Sequence, residues 1–381
     1  MYKTSFNKFN KKTLIFGFIA TVATTGSVIG YNEWKKRLPP TTLSATLPYY
    51  GFKSERQKLA LSYLMRISGI KDADVLLNKE ASNSSELANS ILDFVRQTQQ
   101  NFTIRTGNQE RWDVETSDRM KDTAKQPKIL DALKELNKLD AVHPVFKHRD
   151  VICILGATKS TMVLRLEYAG NLFAKGDLPA NWLVLLAGER YVTSDKNGVS
   201  IDGSQEELLD LSTKLGKAPK ALTETDLMRS AYIASNLYNK LPTEIIDTPK
   251  RDLPRPTTET TVIELCGWLK KHPEIESITF VSNQPHVEYQ KAIIVQVFEQ
   301  QGVKLKIEVV GPAIQVTDNN IESKIKDSVG ALGSQIWAST PGVLDALGID
   351  TCDPRLSEEF LALFKKQPLI YNKLKNKCKP D

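Results

Sequence analysis

Five short apolar runs separated by stretches of helical periodicity constrain residues 150–311 more than any other feature of the chain. VICILG (151–156) and WLVLLAG (182–188) are continuous apolar runs ending in glycine, as strands buried on both faces of a parallel sheet require. TEIIDT (243–248), SITFVS (277–282) and KLKIEVVG (304–311) read as three more strands. Between them lie TMVLRLEYAGNLFAKG, ETDLMRSAYIASNLYNKL, TTETTVIELCGWLKKH and HVEYQKAIIVQVFEQQG, each with helical spacing of its apolar residues. Strands alternating with helices at this spacing form right-handed βαβ units. The expected fold is therefore α/β, a three-layer Rossmann-like parallel sheet.

The flanks read differently. Residues 14–31, LIFGFIATVATTGSVIGY, carry no charge over 18 residues and follow Lys3, Lys8, Lys11 and Lys12. That length approaches the roughly 17–25 residues a helix needs to cross a bilayer, and no A-x-A-type cleavage site follows it. It is expected to be a transmembrane signal anchor. The basic arm places the rest of the chain outside the cytoplasm, in a periplasm-like space; Lys35, Lys36 and Arg37 on the other flank keep a cytoplasm-facing arrangement as the alternative. The Pro/Thr-rich stretch RLPPTTLSATLPYYG (37–51) reads as a stalk without regular helix, leading into helices at SERQKLALSYLMRISG, with Ser54 as its cap and Gly69 as its stop, at SSELANSILDFVRQ and at PKILDALKELNKL. Four segments are thus expected: arm and anchor over 1–37, stalk and helical subdomain over 38–149, the α/β domain over 150–311, and a mostly helical C-terminal extension over 312–381.

Residues 1–37 hold seven Lys/Arg and one Glu, which leaves 44 basic and 44 acidic residues in the remainder. A formally neutral body without a basic tract offers no footprint for a phosphate backbone, so nucleic acid is not an expected partner. The four cysteines form no C-x-x-C pair and none adjoins a histidine, which argues against a zinc site; no metal site is expected unless folding brings Glu189, Glu224, Asp226 and Glu259 together around a cation. Cys153 and Cys266 fall in a predicted strand and helix. Cys352 and Cys378 lie in the C-terminal extension, where a disulfide and two free thiols are both compatible with the sequence.

In open parallel sheets ligands bind outside the carboxyl ends of the strands, where helix N-termini present free N–H groups. Here those ends carry Gly156-Ala157-Thr158-Lys159-Ser160-Thr161, Ala187-Gly188-Glu189-Arg190, the loop to Thr257-Thr258-Glu259, and Ser282-Asn283-Gln284-Pro285-His286. Such small and polar groups suit an anionic or phosphorylated ligand. GATKST falls short of a phosphate loop, because Thr158 occupies the position of the second glycine; a helix cap at Ser160 or Thr161 is the simpler expectation. No G-x-G-x-x-G follows any strand. Glu224 opens a helix, where the macrodipole favours a carboxylate. Arg165 lies within the first crossover helix, where it either reaches the crevice or, as the sequence alone favours, faces solvent. His286 is the one histidine that follows a core strand; His143 and His148 precede the sheet and His272 ends a helix. It reads equally as a general acid/base or phosphate contact and as a cap at the start of a helix.

These residues, in this order, resemble the bacterial YdcF/SanA/ElyC-like α/β proteins over about residues 150–311. The likeness rests on ILG with Arg165 in the next helix, VLLAG where the family's strand ends in Ser-Gly-Gly, Glu224 at a helix start, TTET (257–260) against T-x-E-N, and VSNQPH (281–286) against V-T-S-x-x-H. The resemblance implies a cell-envelope role and a nucleotide-like or lipid-phosphate ligand. It implies ligand contacts from Gly156, Arg165, Gly188, Glu224, Thr257, Ser282 and Asn283, with His286 and Glu259 as catalytic candidates and the cofactor unspecified. The chain departs from the pattern at Glu189, at Thr260 in place of Asn and at Tyr289 in place of Arg. Losing two anion-holding groups leaves two expectations open: a divergent enzyme or ligand handler, and a non-catalytic membrane-tethered module that binds a protein partner.

Overall fold

A computed structural model describes residues 41–102, 121–193, 195–196, 199–253, 255–352 and 354–364. The apolar segment 14–31 lies outside the described residues; among those described, no helix is long and apolar enough to cross a membrane.

The sheet contains β1 (Val151–Leu155), β2 (Trp182–Gly188), β5 (Thr243–Thr248), β6 (Ser277–Val281) and β7 (Lys306–Val310), while β3 (Asp195–Lys196) and β4 (Val199–Ser200) form a separate hairpin. All five sheet strands are parallel, in the order β5-β2-β1-β6-β7. The chain therefore winds outward from β1 to β5, then returns to the other side of β1 to build β6 and β7. The sense of winding reverses between β1 and β6, and the reversal opens a crevice at their carboxyl ends.

Successive residues of the central strands point to opposite faces, and both faces are covered. Val151, Cys153 and Leu155 of β1 pack with α9 (Thr258–Leu269) and α10 (Val287–Gln300), through Val262, Leu265, Ile293 and Ile294. Ile152 and Ile154 pack on the other side with α6 (Lys159–Ala174) and α8 (Glu224–Ile233), through Met162, Leu166, Leu227 and Met228. This double coverage explains why β1 is apolar at every position.

The two helical flanks share one core. The N-terminal helices are α1 (Leu43–Thr46), α2 (Glu55–Ser68), α3 (Ala73–Asn78), α4 (Ser84–Phe102) and α5 (Gln126–Glu135). The C-terminal ones are α11 (Ile321–Ala346) and α12 (Pro354–Phe364). Leu61, Leu92 and Phe94 from the first group and Val329, Leu332, Ile336 and Phe360 from the second belong to a single buried cluster. The long helix α11 packs against α4 on one side and α10 on the other, which joins the helical layer to the α/β layer.

The stretch expected as a stalk is folded over its described part. Thr42 caps α1 by accepting from the Ala45 N–H at 3.2 Å, and a 3-10 turn, Leu47–Tyr50, follows with Pro48 near its start. Proline is tolerated there because the first N–H groups of a helix have no internal partner. Leu43, Leu47 and Tyr50 are buried, with Tyr50 edge-on to Phe94 at 5.8 Å. Proline content masked a short apolar periodicity.

Other signals sit where the sequence places them. Ser54 closes a capping box with Gln57, and Gly69 ends α2 with φ 109°, a left-handed conformation that favours glycine. Cys153 and Cys266 are buried free thiols, and Cys352 is disulfide-bonded; Cys378 lies outside the described residues.

Because Leu332 is fully buried where the two flanks meet, Leu332→Ala removes methyl groups from a core that cannot close around the gap. It is expected to lower unfolding free energy by about 3 kcal/mol, within one urea transition of unchanged slope followed by circular dichroism.

Candidate functional site

The crevice at the winding reversal is built around two buried charges, Arg165 and Glu224. Arg165 is 2% exposed, so it points inward from α6 rather than to solvent. Its guanidinium donates to the carbonyl oxygens of Leu155 (2.6 Å) and Gly156 (2.8 Å) at the end of β1. On the other side it donates from Nε (3.0 Å) and Nη2 (2.7 Å) to Oδ1 of Asn283, just past β6. One planar side chain thus bridges the two strands between which the winding reverses.

Glu224, the first residue of α8, is largely enclosed, with a side chain 14% exposed. Its Oε2 accepts from Nε of Arg190 at 2.8 Å. Its Oε1 lies over Gly156: a methyl group built on that glycine would stand 2.1 Å from Oε1 and 2.7 Å from the Leu186 carbonyl oxygen. Only glycine leaves room for the carboxyl at this strand end. Burial pushes the Glu224 pKa above the ordinary carboxyl value, against the lowering pull of Arg190 and Arg165.

Arg190 is the anchor that sequence reading did not single out. It follows β2 and makes a two-pronged contact with Asp202, Nη1 to Oδ2 at 2.7 Å and Nη2 to Oδ1 at 2.9 Å. Nη2 also donates to the Ala157 carbonyl at 3.1 Å. Burial opposes its charge, but hydrogen bonds and attraction from Asp202 and Glu224 win, and its pKa lies above the usual arginine value. Asp202 belongs to the insertion between β2 and α8, just before α7 (Gln205–Leu215), and carries no local motif. Its role follows from packing alone, so no sequence signal could have found it.

Two helices start beside the crevice without a side-chain cap. The N-cap of α6 is Thr158 rather than Ser160 or Thr161, and its hydroxyl makes no capping bond; it meets Thr161 Oγ1 at 3.1 Å. The N-cap of α10 is His286, half-buried and likewise making no capping bond through its side chain. By contrast α7 and α9 are each closed by a capping box. Lys159, the lysine of GATKST, pairs with Glu207 of α7 at 2.8 Å, which ties the insertion to the start of α6.

The remaining candidates divide into distinct environments. Asn283 faces Arg165, as described, while its amide nitrogen donates to the Gln284 carbonyl at 2.8 Å. Ser282 is fully buried and donates to Gln290 of α10, which ties its hydroxyl into the packing beneath the loop. Gly188 lies on the flank: a methyl there would stand 2.7 Å from Pro256 and 2.8 Å from the Thr248 carbonyl oxygen. Thr257 is exposed and caps α9, accepting from the Thr260 N–H at 3.3 Å. Glu259, in the first turn of α9, is 6% exposed. Glu189 is exposed and accepts from the Lys250 N–H at 2.9 Å. Among the described residues no group of His, Cys, Asp and Glu is arranged to hold a metal ion.

The helical layer holds the histidine loop from behind. Gln284 donates to the carbonyls of Asn137 (3.0 Å) and Asp140 (2.8 Å), and the Gln284–Pro285 peptide is cis. Nearby Lys138 is fully buried and donates to Gln335 of α11; burial lowers its pKa to about 8, with Glu288 of α10 pulling the other way. The Gln335 amide donates in turn to the Tyr50 carbonyl at 2.8 Å. The N-terminal helices, α11 and the His286 loop are therefore one connected unit.

Compared with known proteins, the chain matches no family model, no curated protein and no solved structure. The geometry of the crevice has to carry the functional argument.

A raised carboxyl pKa carries a stability cost with a defined sign. Between the ordinary value of 4.5 and its higher folded value, Glu224 keeps a proton that the unfolded chain releases, so stability falls as pH rises through that window. Glu224→Gln preserves an acceptor for Arg190 and removes the buried charge. Its unfolding free energy is expected to exceed that of the wild type at pH 7, with the gap closing below pH 4.5, by denaturant titration at several pH values.

Proposed function

We propose that the chain is a divergent YdcF/SanA/ElyC-like protein that binds, and in its active form modifies, a phosphorylated or nucleotide-like ligand of the cell envelope. The observation that carries this reading is the Arg165–Asn283 bridge across the winding reversal, with Glu224 over Gly156 beside it. The site lies where parallel sheets of this winding take their ligands, and the unsealed starts of α6 and α10 add N–H groups that favour an oxyanion. His286, at the start of α10, is placed as acid/base or phosphate contact, and residues 14–31 as the membrane tether. The ligand is a soluble anion or a lipid phosphate presented at the bilayer.

A disulfide at Cys352 supports an extracytoplasmic location, because such bonds persist in oxidising compartments. Of the four cysteines in the chain, two thiols are expected to react with a chromogenic disulfide reagent in denaturant before reduction and four after it. Four reactive thiols in protein purified under oxidising conditions would remove this support.

One observation favours a second reading, that of a non-catalytic module binding a protein partner. Where the family pattern has Asn, Thr260 is used by its own helix: its hydroxyl accepts from the Thr257 N–H at 2.9 Å and donates to the Thr257 carbonyl at 3.0 Å. The discriminating experiment is a thermal-shift screen with nucleotides, sugar nucleotides and isoprenoid phosphates on the wild type, His286→Ala and the double variant Thr260→Asn/Tyr289→Arg. A folded-state ligand at a hundred times its Kd adds about 2.7 kcal/mol of stability. The ligand reading expects a shift for at least one compound, reduced at least tenfold in affinity by His286→Ala and strengthened in the double variant. No shift in any of the three proteins would favour the partner-binding module.

A further inference from the structure

We propose that Glu224 is the proton-holding residue of the crevice: its carboxylic acid donates a hydrogen bond from Oε1 to an oxyanion bound in the crevice near Arg165, so that binding the anion takes up one proton. This deepens the ligand reading above and rests on its anion site.

The two carboxyl oxygens of Glu224 have different surroundings. Oε2 is taken by Nε of Arg190. Oε1 occupies the room that the missing side chain of Gly156 leaves at the end of β1, and among the described residues no donor reaches it. An ionised carboxylate there would face the incoming anion with like charge in a largely enclosed space. The protonated acid instead offers the anion an O–H donor, and a carboxyl kept neutral by burial serves as a donor rather than a repelling charge. The pKa of Glu224 is already raised before any ligand arrives, and a neighbouring anion raises it further.

The other charged groups around Glu224 are committed. Arg165 reaches it from α6 while holding Leu155, Gly156 and Asn283, and Arg190 and Asp202 are locked together from the insertion side. Asp202 also accepts from the Thr193 N–H at 2.9 Å. On its own helix, Asp226 is paired with Lys217 at 2.7 Å. On β5, Asp247 accepts from the Thr225 hydroxyl at 2.5 Å. Lys159 at the start of α6 is paired with Glu207. Glu224 is the carboxyl of this group with an oxygen open toward the crevice. His286, proposed above as acid/base or phosphate contact, is the control.

The probe is sulfate, which stays dianionic across the range in which protein carboxyls and histidines titrate. Its affinity for the full-length protein in detergent is measured between about pH 5 and 8 for the wild type, Glu224→Gln and His286→Ala. In the wild type, sulfate affinity is expected to fall as pH rises, approaching about tenfold per unit once Glu224 is ionised in the free protein, the limit for one linked proton. Glu224→Gln is expected to bind sulfate with nearly constant affinity over that range, whereas His286→Ala keeps the wild-type slope. A slope that survives in Glu224→Gln, or one that disappears only in His286→Ala, overturns the assignment of the proton to Glu224. Wild-type binding that is equally tight at every pH overturns proton uptake while leaving the anion site standing. Failure of all three proteins to bind sulfate at any pH overturns the anion site, and this inference with it.

Discussion

The crevice depends on the guanidinium of Arg165, because the winding reversal separates two neighbouring strands whose following loops leave toward opposite faces. Such a point has no connecting segment of its own to hold the loops together. Arg165 supplies the connection by donating to two carbonyls at the end of β1 and to Asn283 after β6. Removing a buried group that satisfies three acceptors leaves each of them without its partner, at about 1–3 kcal/mol apiece. The bridge therefore shapes the crevice and also places a positive charge at its floor.

A second arrangement of buried charge lies beside the first. Arg190 draws Asp202, Glu224 and the Ala157 carbonyl to one point, so the insertion after β2, the start of α8 and the loop after β1 are fixed relative to one another. The Arg149–Glu308 pair has a different place in the fold: Arg149 precedes β1, and Glu308 on β7 also accepts from the Thr279 hydroxyl and the Val145 N–H. Its position in the chain links it to the sheet's edge strand rather than to the crevice. Burial of charge is thus not by itself a mark of the site; what distinguishes Glu224 is an oxygen that, among the described residues, has no donor at the end of β1.

The helical layer bears on the crevice through the loop that carries His286. Its core is assembled from both ends of the described chain, with α11 lying between α4 and α10. Gln284 reaches into this layer for two carbonyls, and Lys138 and Gln335 continue the polar contacts to Tyr50. A buried lysine is costly unless its ammonium is held, which is why these contacts run in a chain through the packed interior.

The sequence by itself determined the five strands and the helices between them, because the central strands are buried on both faces and the helices between them carry an apolar periodicity, and those patterns are local. It determined the ends of α2 for the same reason: Ser54 and Gly69 act through neighbours within a few residues. It also placed Gly156, Asn283 and His286 after strands, Arg165 within the first crossover helix and Glu224 at a helix start, but it could not say which of them meet. The inward orientation of Arg165 depends on Asn283, more than a hundred residues away, and the burial of Ser282 on the packing around its loop. Only the tertiary structure brought Asp202 to Arg190, joined the two helical flanks into one core and folded the Pro/Thr-rich stretch against Phe94. Contacts between distant segments leave no periodicity to read, since their energy comes from packing and charge pairing that exist only once the chain has closed.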